Sequence, residues 1–221
     1  MPDTEFLDGW IADIAGLAPA ADREAARRVG TGLLARWSEP HRSYHTDQHL
    51  AEMLSAIDDL ARASGLAERE TQLARVAAWL HDAVYDVRAT AGHSERESAR
   101  LARDLLASLH FDASDLQTVE DLILLTIDHG TQVPGALADV FTDADLAILA
   151  ATPARFGEYC RQIRVEYEHV PAAAYATGRS EILAALVDRP EVYRTQFARA
   201  TWTAHARDNV AREVARLSLG E

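Results

Sequence analysis

The stretch "VAAWLHDAVYD", residues 76–86, decides how the chain is read. Val76 through Leu80 are apolar, and the run passes through His81 and Asp82 before Ala83, Val84 and Tyr85 resume it. An imidazole and a carboxylate moved out of water without partners cost several kcal/mol, comparable with the net stability of a whole domain. The stretch therefore predicts a buried helix, from about Glu70 to Tyr85, whose polar pair is compensated from elsewhere in the chain.

The same helical periodicity extends outward in both directions, and alternating strand-like stretches are missing. Phe6, Trp10, Ile14 and Leu17 mark a first helix ending before Pro19, and Ala26, Val29, Leu33 and Trp37 a second closed by "SEPHRS". Thr46 or Asp47 can cap a third, with His49, Met53, Ile57 and Leu60 on one face and Gly65 at its end. After the central helix, a fifth spans Ser94 to Leu109. A sixth starts on Ser114 and stops at Gly130 and Pro134. "DVFTDADLAILAA" forms a short seventh, Thr152 and Pro153 open an eighth, a ninth lies near "SEILAALV", and a long tenth follows Pro190. No Pro/Gly/Ser-rich seam divides the 221 residues, so residues 1–221 are expected to form a single all-α domain of roughly ten helices.

Composition excludes several classes. Hydrophobic residues make up 48% and charged residues 26%, a globular rather than disordered balance. A net charge of −13 disfavours nucleic-acid polymers and anionic membranes as partners, so any anionic substrate must be held by local cations. The acidic first residues do not resemble a secretory signal and no apolar run approaches ~18 residues, which gives the expectation of a cytoplasmic protein. One cysteine, Cys160, excludes an internal disulfide and a multi-thiolate zinc site, and reads as a small buried hydrophobe.

In a chain with nine His and nineteen Asp, about one His-Asp dipeptide is expected by chance, so placement carries the argument. Polar residues also interrupt apolar runs at His45 and His49, at His129, and at Asp143 and Asp145. A divalent cation would compensate all of them at once, offsetting carboxylates and accepting neutral imidazoles as ligands. His45 and His49 share a helical face, so one can ligate while the other waits beside the metal. His81 and Asp82, about 100° apart on a helix, reach one ion only over the edge between them, and Asp145 closes the site. Each has an ordinary alternative: His49 a core histidine, His129 a helix C-terminal cap, Asp143 and Glu95 N-terminal helix acids.

His49, then His81-Asp82, then Asp145, on an all-α background, resembles the H…HD…D signature of the HD superfamily of metal-dependent phosphohydrolases. "RSYHTDQHL", "WLHDAVYD", "SERESA", "TDADLAIL", "IRVEY" and "YATGRSEIL" resemble a soluble bacterial subgroup of predicted phosphohydrolases. "YHTDQH" and "DADLA" are also similar to cyclic-nucleotide phosphodiesterases. That likeness implies His45 as general acid, His49 as ligand, Asp82 as a bridge between two metals and Asp145 as the distant ligand. Where those enzymes have a histidine three residues after the HD pair, this chain has Tyr85.

The resemblance implies a compact HD-type domain that hydrolyses a phosphoester or phosphoanhydride, in a nucleotide or related small phosphorylated molecule. One or two divalent ions (Mn, Mg, Fe, Co, Ni or Zn) would activate water and His45 would protonate the leaving oxygen. Arg42 is the first candidate to hold the substrate phosphate, followed by Arg164 and Arg179 as weaker ones, for each of which a solvated surface side chain is the leading alternative. Glu95, His129 and Asp143 are candidates for a second metal or for orienting the first. Two other functions fit the same residues: a diiron oxygenase that recruits His129, and a nucleotide sensor that binds without turnover. Monomer and homodimer are both compatible with the sequence.

Overall fold

The computed structural model describes residues 2–129 and 134–220. Eleven α-helices run in the order α1 (Pro2–Leu17), α2 (Arg23–Trp37), α3 (Asp47–Ser64), α4 (Glu68–Leu80), α5 (His93–Ser108), α6 (Ala113–Leu125), α7 (Ala136–Asp145), α8 (Pro153–Glu166), α9 (Ala172–Val187), α10 (Gln196–Thr201) and α11 (Thr203–Ser218). A 3-10 turn, Leu146–Ala150, follows α7 directly. No strand occurs among the described residues, so the all-α expectation holds. None of the described helices is long and apolar enough to cross a membrane.

α4 is the axis of the molecule. Val76, Ala77, Ala78 and Leu80 are fully buried and Trp79 nearly so. A helix apolar on every side has to be enclosed, and α1, α3, α5, α6 and α7 all pack on it. Trp79 contacts Phe6 and Trp10 of α1 ring to ring, at 6.1 and 5.2 Å between centroids. Full burial of each large side chain contributes roughly 1.5–3 kcal/mol relative to exposure. α8, α9 and α11 form a second group, joined to the first through the 3-10 turn.

Where helices end departs from the sequence expectation in ways that matter for the site. α4 stops at Leu80 rather than Tyr85. His81 keeps helical dihedrals and bonds back to the Ala77 carbonyl, but Asp82 onward is irregular chain. Beyond Leu80, Ala83 is buried and Val84 and Tyr85 are partly buried without being helical, a distinction periodicity cannot make. α6 is capped by Asp112, not Ser114, and ends at Leu125; Gly130, the expected stop, lies outside the described residues. The expected tenth helix is broken at Trp202 into α10 and α11. Thr152 does cap α8, accepting the Arg155 N–H, with Pro153 in the first turn.

Candidate metal centre

The exposed carbonyls at the C-terminus of α4 determine what stands next to His81 and Asp82. Main-chain oxygens at a helix end lack partners within the helix and need donors from elsewhere. Trp37 Nε1 donates to the Trp79 carbonyl at 3.1 Å, and Arg36 Nη1 to that of Ala83 at 3.2 Å. Arg42 Nη1 donates to the Asp82 carbonyl at 2.8 Å and to that of His45 at 3.3 Å, while its Nη2 reaches Ala83 and its Nε the Glu39 carboxylate. The Arg42 side chain has no solvent exposure. This corrects the expectation of a phosphate ligand: Nη1 and Nη2 clamp the α2–α3 connection onto the chain at the end of α4, and Nε is held by Glu39 within that connection.

Four donor atoms converge under that clamp. His49 Nε2, from the first turn of α3, lies 3.3 Å from His81 Nε2, 3.8 Å from Asp82 Oδ2 and 3.3 Å from Asp145 Oδ1. His81 Nε2 is 3.0 Å from Asp82 Oδ2 and 3.6 Å from Asp145 Oδ1. For ligand bonds of about 2.1 Å, neighbouring donors stand about 3.0 Å apart in an octahedron and about 3.4 Å in a tetrahedron. The separations among His49, His81 and Asp82 suit a single cation held between them, and Asp145 Oδ1 adjoins the two imidazoles without belonging to that group.

The protonation states strengthen that fit. His81 Nδ1 faces the Ala78 carbonyl at 2.9 Å, and a carbonyl only accepts, so Nδ1 carries the hydrogen and Nε2 presents its lone pair to the cluster. The Tyr44 hydroxyl, 3.1 Å from His49 Nδ1, can fix His49 in the same sense. Two lone pairs and two carboxylates then face one another in a buried space, an arrangement that needs a positive charge at its centre. Without a metal, a proton takes that place. Burial opposes a charged His81, yet the charge of and hydrogen bond to Asp82, reinforced by Asp145, raise it to about 9. Burial likewise opposes ionisation of Asp82 and Asp145, but the imidazoles around them hold both carboxyls well below the usual range.

His45 stands beside this cluster and outside it, its Nε2 4.0 Å from Asp82 Oδ2. Its orientation comes from a residue that the sequence reading passed over. Glu166, the last residue of α8, is buried, and its Oε1 accepts the main-chain N–H groups of Ser43, Tyr44 and His45 at 2.7, 2.7 and 3.0 Å. Oε2 accepts His45 Nδ1–H and the Tyr85 hydroxyl, both at 2.7 Å. Burial works against the carboxylate, but the hydrogen bond and charge of His45 and the main-chain donors bring Glu166 down to about 2. Tyr85 also stacks on His45, with centroids 4.1 Å apart. Glu166 does lie on the apolar stripe of Phe156, Tyr159 and Ile163, the same signal that singled out His49.

The remaining candidates separate. His129 Nε2 lies 2.7 Å from Asp145 Oδ2, so His129 touches the cluster through that carboxylate. Its φ of 50°, unusual without glycine, is held by Arg189 and Arg194, which donate to its carbonyl. Asp143 is not brought to the cluster: it is fully buried and accepts the N–H groups of Arg194 and Thr195 at 2.8 Å each, tying α7 to the chain before α10. Burial pushes it up to about 6. Arg164 is likewise committed, donating to the Tyr167 and Val170 carbonyls in the α8–α9 turn, which corrects its expected phosphate role. Glu95 and Arg179 line the cavity of about 740 Å³ that opens from the cluster. No family model, curated protein or solved structure matches the chain.

Proposed function

We propose that the protein is a cytoplasmic metal-dependent phosphohydrolase of HD-superfamily type, acting on a small phosphorylated molecule. The observation that carries this reading is the convergence of His49, His81, Asp82 and Asp145 donor atoms beside a histidine, His45, that is positioned by a carboxylate and left out of the cluster. Two imidazoles and two carboxylates without sulfur suit Mn²⁺, Fe²⁺, Co²⁺, Ni²⁺ or Zn²⁺, and Mg²⁺ less well. When bound, such an ion supplies an acidified water and a Lewis acid for a phosphoryl oxygen.

The chain's own residues do the rest. Asp82 and Asp145 neutralise the cation, and His49 and His81 fix its place through tautomers set by Tyr44 and Ala78. Glu166 holds His45 through Nδ1, so the opposite nitrogen faces the cluster and, when protonated, can deliver its proton to the departing oxygen. Tyr85 closes the outer face of that imidazole and occupies the second oxygen of Glu166.

Phosphate release from nucleotides and simple phosphoesters, measured after loading with each divalent ion, tests the proposal. The expected result is turnover by the wild-type chain that falls at least about a thousandfold in Asp145→Ala. Stoichiometric iron with oxygen consumption and no phosphate release would overturn it in favour of an oxygenase. Tight nucleotide binding without turnover under every metal would overturn it in favour of a sensor.

A further inference from the structure

The cavity that opens from the cluster extends well beyond the space a phosphoryl group needs, reaching a wall built from α8 and α9. Its volume, about 740 Å³, is that of a site for a whole small molecule. In that wall stands Arg179. Its Nη2 donates to the Tyr159 hydroxyl and its Cζ sits 5.0 Å over the Tyr159 ring. Its Nε is shut off from solvent with no hydrogen-bond partner, its Nη1 bonds nothing, and no carboxylate among the described residues comes within ion-pair distance.

Several other enclosed arginines are held by carboxylates or by main-chain carbonyls. Arg75 grips Asp13 and Asp58, Arg155 grips Glu52, Arg42 and Arg164 cap main-chain carbonyls, and Arg189, also in the cavity wall, donates to the carbonyls of Asp128 and His129. A half-enclosed guanidinium without a counter-charge is unfavourable in the free protein and becomes favourable when an anion arrives. One helical turn earlier on the same face, the Tyr175 hydroxyl is also buried without a partner.

Position separates this cation from the phosphoryl end. The Tyr159 ring stands between Arg179 and Tyr44, at 4.5 Å from the Tyr44 ring, and Tyr44 in turn bonds His49. Among the described residues no hydrogen bond or ion pair joins Arg179 to the cluster's donor atoms. The cavity wall also carries the apolar side chains of Ile163 and Leu186, and Gly178, where a Cβ would meet nothing within 4 Å.

We propose that Arg179 binds a second anionic group of the substrate, so that the substrate is a phosphate ester carrying a further phosphate or carboxylate away from its reacting end. This rests on the phosphohydrolase reading for the end that reacts, but not for the end that binds.

The test compares adenosine 3′,5′-bisphosphate with adenosine 5′-monophosphate in titration calorimetry on the Mn²⁺-loaded protein, alongside turnover of p-nitrophenyl phosphate, which has no second anion. The expected result is that the wild type binds the bisphosphate at least about tenfold more tightly, that Arg179→Gln abolishes this difference and that Arg179→Lys restores part of it. Equal affinity of the wild type for the two nucleotides, or an equal loss for both in Arg179→Gln, overturns the proposal. Absence of turnover in the wild type overturns the phosphohydrolase reading alone, since the binding comparison is read without it.

Discussion

Replacing Glu166 by glutamine tests both the stability and the chemistry assigned to the site. The amide oxygen of Glu166→Gln can still accept the N–H groups of Ser43, Tyr44 and His45, but the amide nitrogen then faces two donors, His45 Nδ1–H and the Tyr85 hydroxyl. In the wild type the carboxyl is lowered from 4.5 to about 2, a linkage worth about 3 kcal/mol near neutral pH. For a domain of this size that loss lowers Tm by roughly 6–12 °C. The group titrates below its unfolded value, so its contribution is complete above pH 4.5 and disappears as pH falls towards 2. Urea unfolding should show the gap between wild type and variant narrowing from about 3 kcal/mol above pH 5 to about 2 kcal/mol at pH 3.5. His45 loses its orientation in the same variant, so kcat for p-nitrophenyl phosphate should fall about 10²- to 10⁴-fold with KM little changed and bound metal retained. A gap that stays constant across this pH range, or a kcat within threefold of wild type, would refute the reasoning.

Metal removal should lower stability only where the cluster is intact: adding Mn²⁺ to the chelated wild type at about 100 times its Kd contributes about 2.7 kcal/mol, a Tm rise of roughly 5–11 °C by scanning calorimetry, and none in Asp145→Ala. Arg42→Gln should destabilise the fold by about 2–4 kcal/mol in denaturant titration, because the carbonyls at the end of α4 lose their donors, yet leave the KM of p-nitrophenyl phosphate unchanged; a selective rise in KM would return Arg42 to a phosphate role. Tyr85→Phe removes one of the five hydrogen bonds on Glu166 and should cost about 1 kcal/mol; combined with Glu166→Gln its effect should be less than additive, and strict additivity in a double-mutant cycle would show that the two do not act together.

Much of this architecture is written in side-chain periodicity. The enclosure of α4 follows from five consecutive apolar residues, and the convergence of His49, His81, Asp82 and Asp145 from polar residues set where water is excluded. What periodicity does not carry is the state of the backbone once a segment is buried. Ala83 and Val84 look like a continuation of α4, but the helix has ended, and the change is recorded only in which carbonyls need donors. Arg42 was misread for that reason: a cation near a metal motif suggests a phosphate, while a helix C-terminus presents partial negative charge that attracts the same group.

Glu166 and Arg179 show the complementary blind spot. Glu166 falls on the stripe of Phe156, Tyr159 and Ile163 and could have been picked out as His49 was, by asking what compensates a polar group on an apolar face. The answer lies in the main chain of residues 43–45, more than a hundred positions away, and no side-chain pattern encodes a run of amide donors. Arg179 sits on α9, where nearly every neighbour is small or apolar, so neither face of the helix stands out. Its significance is the lack of a counter-charge, which becomes visible only when its one acceptor, the Tyr159 hydroxyl, is set beside the cavity it lines. In a chain of net charge −13, a half-enclosed guanidinium that no carboxylate among the described residues reaches is the group the proposed second anion would pair with.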